Sequence, residues 1–249
     1  MQLVKKCAKL VVSIIFPLRC PVCDKILEPE LQEARIHPHC YNRLYPVQDP
    51  VCMQCGRPIG MSHMEWCYDC ERQHRQMRGK SPIQQGKALY IYQGIVKESM
   101  YRFKYSNKQE YAEFFAEEVL RRYGDWLREK QIEAIVPVPM YRKKQRKRGY
   151  NQAEVFAKAL SQQTGIPVDT KLIWRVKDTT PQKELNDTQR KNNLKNAFHA
   201  SENIVQYKRI LVVDDIYTTG STAEAVAEVL KRINIDSVYF MSICIGKGA

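Results

Sequence analysis

Seven of the nine cysteines lie within 51 residues, mostly in pairs separated by two residues. In a C-x-x-C pair both thiolates can reach one tetrahedral zinc ion, and a second pair completes the four ligands. His37 stands three residues before a lone cysteine and supplies the missing pair. The two predicted ligand sets are Cys20, Cys23, His37 and Cys40, followed by Cys52, Cys55, Cys67 and Cys70. Four protein ligands leave no open position, so both zinc ions are expected to be structural.

Several alternatives to this arrangement fit the same residues. His39 competes with His37 as a ligand, and a cross-braced pairing of the two sets also agrees with the spacing. A disulfide framework would need an oxidising compartment, and it would leave one of nine cysteines over. A redox-active pair would need a thioredoxin-type βαβ setting, which the sequence lacks. The remaining cysteines, Cys7 and Cys244, are predicted to be small buried hydrophobic residues.

A second group of chemically capable residues follows the apolar run 210–213. Asp214 and Asp215 end this predicted strand, and a hydroxyl-rich turn then opens a helix. At the carboxyl end of a parallel strand, the free N–H groups and the dipole of the next helix attract phosphate. The predicted phosphate-binding residues are Thr218, Thr219, Gly220, Ser221 and Thr222. The two carboxylates can accept hydrogen bonds from a ribose and attract Mg²⁺. A helix cap alone would need one hydroxyl side chain and would leave the paired carboxylates unexplained.

A basic run lies between two predicted elements. The run holds six positive charges in seven residues: Arg142, Lys143, Lys144, Arg146, Lys147 and Arg148. It is interpreted as a loop near the phosphate-binding edge of the sheet, and three roles stay open: a solvated surface, a pyrophosphate-binding loop, or a contact with a DNA backbone. Tyr141 and Tyr150 flank the run, where they could stack on unpaired bases, although Tyr150 equally fits the core.

Alternating strand and helix patterns must position these groups. Strands are predicted at 88–92, 132–138, 210–213 and 237–245, and helices at 108–130, 151–160 and 223–233. This order predicts an α/β domain over 81–249 with a doubly wound parallel sheet and helices on both faces. Residues 1–80 are predicted to form an N-terminal helix and a cysteine-rich zinc module. The polar stretch 177–196 is interpreted as a lid over the site or a plain surface loop, and Lys104 is a further candidate for facing the ligand.

Residues 212–222 closely resemble the 5-phosphoribosyl-1-pyrophosphate (PRPP) motif of type I phosphoribosyltransferases at all eleven positions. Together with the stretches 136–139, 148–153 and 175–198 and the cysteine-rich front end, they make the chain similar to the ComF family. That family joins a double zinc ribbon to a phosphoribosyltransferase domain. The resemblance implies that Asp214 and Asp215 contact ribose hydroxyls and that Thr218 to Thr222 hold the 5′-phosphate of PRPP with Mg²⁺. His37 departs from the cysteine that relatives commonly carry.

The same resemblance implies a role in the uptake of transforming DNA. The expected partners are single-stranded DNA, a ComFA-like DNA-translocating ATPase and DNA-processing proteins. Two other hypotheses remain: a salvage phosphoribosyltransferase acting on an unidentified nucleobase, and a non-enzymatic zinc scaffold that docks the ATPase. Neither catalysis nor an acceptor can be read from the residues, since fold does not imply function.

Charge and the amino terminus bear on location. The formal charge of +13 points to anionic partners, and residues 81–249, with 28 basic and 19 acidic side chains, carry +9 of it. The run Leu10–Phe16 follows three lysines like a signal peptide, but no small-x-small cleavage site follows it. It is also shorter than the roughly 18 residues that span a bilayer. We therefore expect a packed helix, no integral membrane span, and a cytoplasmic location that extends to the membrane periphery near the DNA uptake machinery.

Overall fold

The computed structural model describes residues 17–60, 63–76, 81–177, 194, 196–201 and 207–247. The predicted N-terminal helix, Cys7 and most of the predicted lid at 177–196 lie outside the described residues. The strands are β1 Gln85–Ile91, β2 Ala134–Pro137, β3 Ile173–Arg175, β4 Phe198–Ala200, β5 Arg209–Tyr217 and β6 Ser237–Ile245. The helices are α1 Pro38–Tyr41, α2 Tyr68–Gln76, α3 Gly94–Tyr105, α4 Tyr111–Glu129, α5 Arg142–Arg148, α6 Gln152–Thr164 and α7 Ser221–Arg232, with a 3-10 turn at Pro29–Leu31.

Four parallel strands form the central sheet in the order β1-β6-β5-β2, and β3 and β4 form a separate antiparallel hairpin. Both faces of the sheet are buried. Ile210 and Val212 of β5 lie in one hydrophobic core, whereas Leu211 and Val213 lie in another. Such two-sided burial is why β5 is an unbroken apolar run rather than an alternating one. The prediction of a parallel sheet is confirmed.

Helices cover the two faces of this sheet. On one face, α3, α4 and α6 contribute Met100, Phe115 and Phe156 to the core. On the other face, α7 contributes Val226 and Leu230. The predicted helices on both faces are therefore confirmed. Among the described residues, no helix combines the length and apolar character needed to cross a bilayer.

The cysteine-rich segment wraps around the edge of the sheet at β1. Ile91 N–H donates to Tyr45 O at 2.8 Å and Val47 N–H donates to Leu89 O at 2.9 Å, so 45–47 pairs with the edge strand. Before this crossing, Cys20 and Cys40 belong to one core; after it, Cys52 and Cys70 belong to the other. The two ribbons thus pack on opposite faces of the sheet and share its cores. The division of the chain near residue 80 stays a prediction.

Candidate functional site

Each predicted zinc ligand set converges in the structure. Within each of the two sets all four ligand atoms lie within 4.8 Å of one another. The sets are sequential rather than cross-braced, and Cys23 is the one member of either set that is not buried. Cys55 Sγ and Cys67 Sγ are 3.7 Å apart, close to the roughly 3.8 Å that two thiolates at 2.3 Å from a tetrahedral zinc would show. Two cysteine-rich clusters of this chemistry are consistent with structural zinc.

His37, rather than His39, faces the first cluster. Its Nδ1 lies 3.4 Å from Cys23 Sγ, and its Nε2 lies 3.3 Å from a carboxylate oxygen of Glu28. A histidine ligand commonly donates its second ring nitrogen to a carboxylate, which orients the ring. His39 is exposed and stacks on His37 with ring centroids 5.2 Å apart. We therefore propose His37 as the fourth ligand of this site.

Substitution of the two histidines separates the alternatives. We expect His37→Ala to lower the zinc content from about two ions per chain to about one, because three ligands remain at the first site. His39→Ala should leave it at two. Metal analysis of the purified variants measures both values. Loss of zinc in His39→Ala with retention in His37→Ala would contradict the assignment.

Two acidic side chains lie near the carboxyl end of β5. This strand continues to Tyr217, so Asp214 and Asp215 are within it and not at its end as predicted; Asp214 pairs with Ser242 of β6. Asp215 N–H donates to Asp214 Oδ1 at 2.8 Å. Lys104 of α3 places its Nζ 3.1 Å from Asp215 Oδ2. The three groups form a cluster of one cation and two carboxyl groups, in which Asp215 is buried and Lys104 and Asp214 are partly buried.

Burial and the charges of the neighbouring groups together set the pKa values in this cluster. Burial, followed by repulsion from Asp215, raises the pKa of Asp214 to about 8. Burial opposes the charge of Lys104, but the nearby Asp215 and Asp214 outweigh it, so the pKa of Lys104 is raised. In the ligand-free chain, Asp214 therefore keeps its proton to a higher pH than an ordinary carboxyl group, and Lys104 is charged. Cations or hydroxyl donors that favour the carboxylate would bind with release of that proton.

The raised pKa of Asp214 makes folding stability depend on pH. Between the ordinary value near 3.8 and about 8, the folded chain binds a proton that the unfolded chain has released, so stability falls as pH rises. Asp214→Asn removes this dependence. We expect the melting temperature of the ligand-free variant, relative to wild type, to increase from pH 5 to pH 8. The exposed Asp125→Asn is the control, and a pH-independent difference for Asp214→Asn would contradict the pKa.

The turn Thr218–Thr222, which was predicted to bind phosphate, contains a glycine whose backbone is in the left-handed conformation. Gly220 precedes α7 with φ of 82°, and a Cβ there would lie 2.2 Å from Tyr217 Oη. The turn therefore requires glycine on grounds of both backbone conformation and space. Thr219 Oγ1 and Ser221 Oγ lie 3.0 Å apart. The hydroxyl groups and the first N–H groups of α7 are donors of the kind that bind anions at helix N-termini.

A polar cavity of ≈ 330 Å³ joins these groups at the edge of the sheet. That volume suits a small phosphorylated ligand. Its lining comprises Lys104, Val138, Pro139, Met140, Lys144, Arg148, Asn151, Gln152, Ala153, Arg175, Asp214, Asp215 and Thr222. The cavity thus brings together Asp214 and Asp215, Thr222 of the turn that was predicted to bind phosphate, and Lys144 and Arg148 of the basic run.

The basic run is a helix, not the loop that the sequence suggested. Lys and Arg are good helix formers, and Gly149, with φ of 92°, ends α5 in the left-handed conformation typical of a C-cap. Lys144 and Arg148, one turn apart, line the cavity. Arg142, Lys143, Arg146 and Lys147 are exposed and lie outside the cavity lining, and Lys144 is exposed as well as lining the cavity. The six charges therefore divide between the site and the outer surface.

Known proteins share both parts of this chain. The double zinc ribbon domain family matches residues 11–71, and the phosphoribosyl transferase domain family matches residues 151–248. Competence protein F of Haemophilus influenzae is 32% identical over 218 residues, which cover 80% of this chain and 92% of that protein. The chain belongs to the competence protein F family. Competence protein ComFC of Bacillus subtilis is 24% identical and is matched over 90% of its length.

The competence protein F family extends to proteins with a different name. The DNA utilization protein YhgH of Escherichia coli K12 is 29% identical over 197 residues, which cover 78% of this chain and 83% of that protein. Competence or DNA utilization is therefore the functional theme of the relatives.

Among the cavity residues of this family member that were not predicted as site residues, Arg175 carries a charge. Arg175 ends β3, pairs with Phe198 of β4, and places its guanidinium carbon 5.3 Å from the Phe198 ring centroid. It lines the cavity, and its positive charge acts to lower the pKa of Asp214. Its place in the sequence could have indicated this role, because Arg175 begins the stretch 175–198 that resembles the ComF family. Tyr150, by contrast, is buried and donates its hydroxyl to Phe103 O, so it belongs to the core.

Proposed function

We propose that this protein serves the uptake of transforming DNA by binding single-stranded DNA and magnesium-bound PRPP. The observation that carries the proposal is the position of α5. One face of this basic helix lines the cavity with Asp214 and Asp215, and the other is exposed. A single helix can therefore contact a pyrophosphate on one side and a DNA backbone on the other.

The cavity suits the parts of PRPP. Asp214 and Asp215 would accept hydrogen bonds from the ribose hydroxyls, and the turn Thr218–Thr222 would hold the 5′-phosphate at the start of α7. Lys144 and Arg148 would contact the pyrophosphate. Carboxylate and phosphate oxygens are the ligands that Mg²⁺ prefers, so the ion would enter with PRPP.

Exposed aromatic rings beside α5 support binding of single-stranded DNA. Tyr101 and Tyr105 of α3 are 62% and 59% exposed, and their ring centroids lie 5.0 Å apart. The guanidinium carbon of Arg148 lies 4.8 Å from the Tyr105 centroid. Sequence-independent DNA binding typically combines such stacking surfaces with a basic track. These tyrosines, rather than the buried Tyr150, are the candidates for base stacking.

The two faces of α5 give a direct test. Changing Arg142, Lys143, Arg146 and Lys147 to Gln should weaken single-stranded DNA binding and leave PRPP binding within about twofold. The slope of log K against log[salt] should become shallower by roughly 0.7 for each DNA phosphate that the variant no longer neutralises. Gel shifts over a salt series measure this slope. Changing Lys144 and Arg148 to Gln should weaken PRPP binding instead.

A matched control separates local contacts from total charge. Changing the exposed Arg43, Arg128, Lys158 and Lys171 to Gln removes the same four charges from elsewhere on the chain. Equal weakening of DNA binding by both quadruple variants would contradict a DNA site on α5. Release of pyrophosphate from PRPP in the presence of any of a panel of nucleobases would instead favour the hypothesis of a salvage phosphoribosyltransferase. Unchanged transformation in the α5 and Asp215→Asn variants would favour the zinc scaffold.

The proposed setting is the cytoplasm at the point where DNA enters. Zinc–thiolate sites suit a reducing compartment, and the proposed DNA surface would meet the strand as a translocating ATPase delivers it. The partners are then this ATPase and the proteins that process the incoming strand. Co-purification of the chain with a ComFA-like ATPase, with and without a single-stranded oligonucleotide, tests the association.

A further inference from the structure

The second zinc ribbon reaches the phosphate-binding turn through Arg57. This residue follows the C-x-x-C pair of Cys52 and Cys55 and is only 3% exposed. Its Nη2 donates to the backbone carbonyl of Thr218 at 2.5 Å, across 161 positions of sequence. Thr218 is the first residue after β5, so the ribbon fixes one end of the turn.

The same guanidinium is held by the zinc cluster. Its Nη1 donates to Asp69, which lies between Cys67 and Cys70 in the sequence. The same Nη1 is 3.9 Å from Cys67 Sγ. The backbone carbonyl of Arg57 accepts the N–H of Cys52 at 2.7 Å. Four thiolates around one Zn²⁺ carry a net negative charge, which a buried guanidinium offsets. The position of Arg57 therefore depends on an assembled cluster.

Tyr217 forms a second contact between the cluster and the turn. Its buried ring shares a hydrophobic core with Cys55 and Cys70. The same ring lies directly beneath Gly220, as the 2.2 Å distance from its Oη to a Cβ at Gly220 shows. A movement of the second cluster would therefore be transmitted to the turn at two positions, Thr218 and Gly220.

We propose that Arg57 is a positioning residue through which the second zinc site controls the phosphate-binding turn. Binding of a phosphorylated ligand is then strongest when this zinc site is filled. Beside the first cluster, by contrast, Arg35 pairs with Glu113 and Glu117 of α4, away from the turn. This inference rests on the proposed function of the same site as a PRPP site.

Three variants of the full-length, zinc-loaded chain test the coupling. Arg57→Gln should lower affinity for Mg-PRPP by about tenfold or more, since the variant lacks the hydrogen bond from a charged donor. Arg57→Lys should recover little, because an ammonium cannot span Asp69 and Thr218 as the planar guanidinium does. Arg35→Gln is the matched control and should bind within about twofold of wild type. Zinc analysis should find about two ions per chain in each variant.

A double-mutant cycle identifies the route. Asp69→Asn should also weaken Mg-PRPP binding, and the double variant with Arg57→Gln should be no weaker than Arg57→Gln alone. Additive losses would overturn the coupling, as would wild-type affinity in zinc-loaded Arg57→Gln or an equal loss in Arg35→Gln.

A ligand-free readout separates this inference from the proposed function. Hydrogen exchange at the amides of 219–222 should become faster in Arg57→Gln and stay unchanged in Arg35→Gln. If wild type binds no Mg-PRPP but this difference appears, the proposed ligand is wrong and the coupling stands. If exchange is unchanged in both variants, the coupling is overturned whatever the ligand is.

Discussion

Asp215→Asn is expected to lower the affinity for Mg-PRPP by about 10- to 150-fold. This range corresponds to the roughly 1.5–3 kcal/mol of a charge-assisted hydrogen bond to a ribose hydroxyl. The substitution also removes the carboxylate 3.1 Å from Lys104 Nζ, so the cation is left without its main counter-charge in the cavity. Calorimetric titration with Mg-PRPP measures the change.

The control for this prediction is Asp125→Asn. Asp125 is 98% exposed on α4, where it pairs with Arg128, and its loss should leave PRPP affinity unchanged. Circular dichroism should show that both variants keep the wild-type fold. A folded Asp215→Asn chain that binds Mg-PRPP as wild type does would mean that the Asp215 carboxylate takes no part in binding.

Cys40→Ser should destabilise the chain more than any of the other substitutions proposed. Cys40 is completely buried, belongs to the first zinc cluster, and packs in the core that α4 and α6 share. Losing a ligand loses the metal, whose binding free energy is part of the folding free energy. We expect a loss of more than about 4 kcal/mol in the free energy of unfolding, the range that accompanies metal loss.

Cys244→Ser is the matched comparison for this effect. Cys244 is equally buried but lies in β6, outside both ligand sets. It should lose stability through an unsatisfied hydroxyl alone, typically about 1–3 kcal/mol, and retain about two zinc ions per chain. Denaturant unfolding with metal analysis separates the cases. Two zinc ions and near-wild-type stability in Cys40→Ser would refute a zinc site there.

The elements with strong local patterns were predictable. The bounds of β6 agree with the sequence, because an apolar run buried on both faces has few alternatives. The convergence of Asp214 with the turn at Gly220 was also predictable, since parallel strands carry such groups to one edge. The strand β5 was predicted too short because its polar end remains paired with Ser242 to Ile245 of β6.

Other features depend on contacts that no local pattern carries. The helix α5 has no apolar stripe, so its sequence resembles a charged loop, and the left-handed C-cap at Gly149 is the local signal that marks its end. The stacking candidates Tyr101 and Tyr105 lie in α3, a helix that was not predicted from the sequence, and their exposure follows from its packing. The contact of Arg57 with Thr218 joins positions far apart in sequence, and only the packing of the ribbon on the sheet creates it.

Calorimetric titration of the full-length, zinc-loaded chain with Mg-PRPP, alone and with a saturating single-stranded oligonucleotide, tests the central claim most directly. We expect saturable binding of one PRPP per chain in both titrations, because the proposed DNA contacts Arg142, Lys143, Arg146 and Lys147 lie outside the cavity lining. Absence of saturable binding by the zinc-loaded chain at millimolar Mg-PRPP would contradict the account.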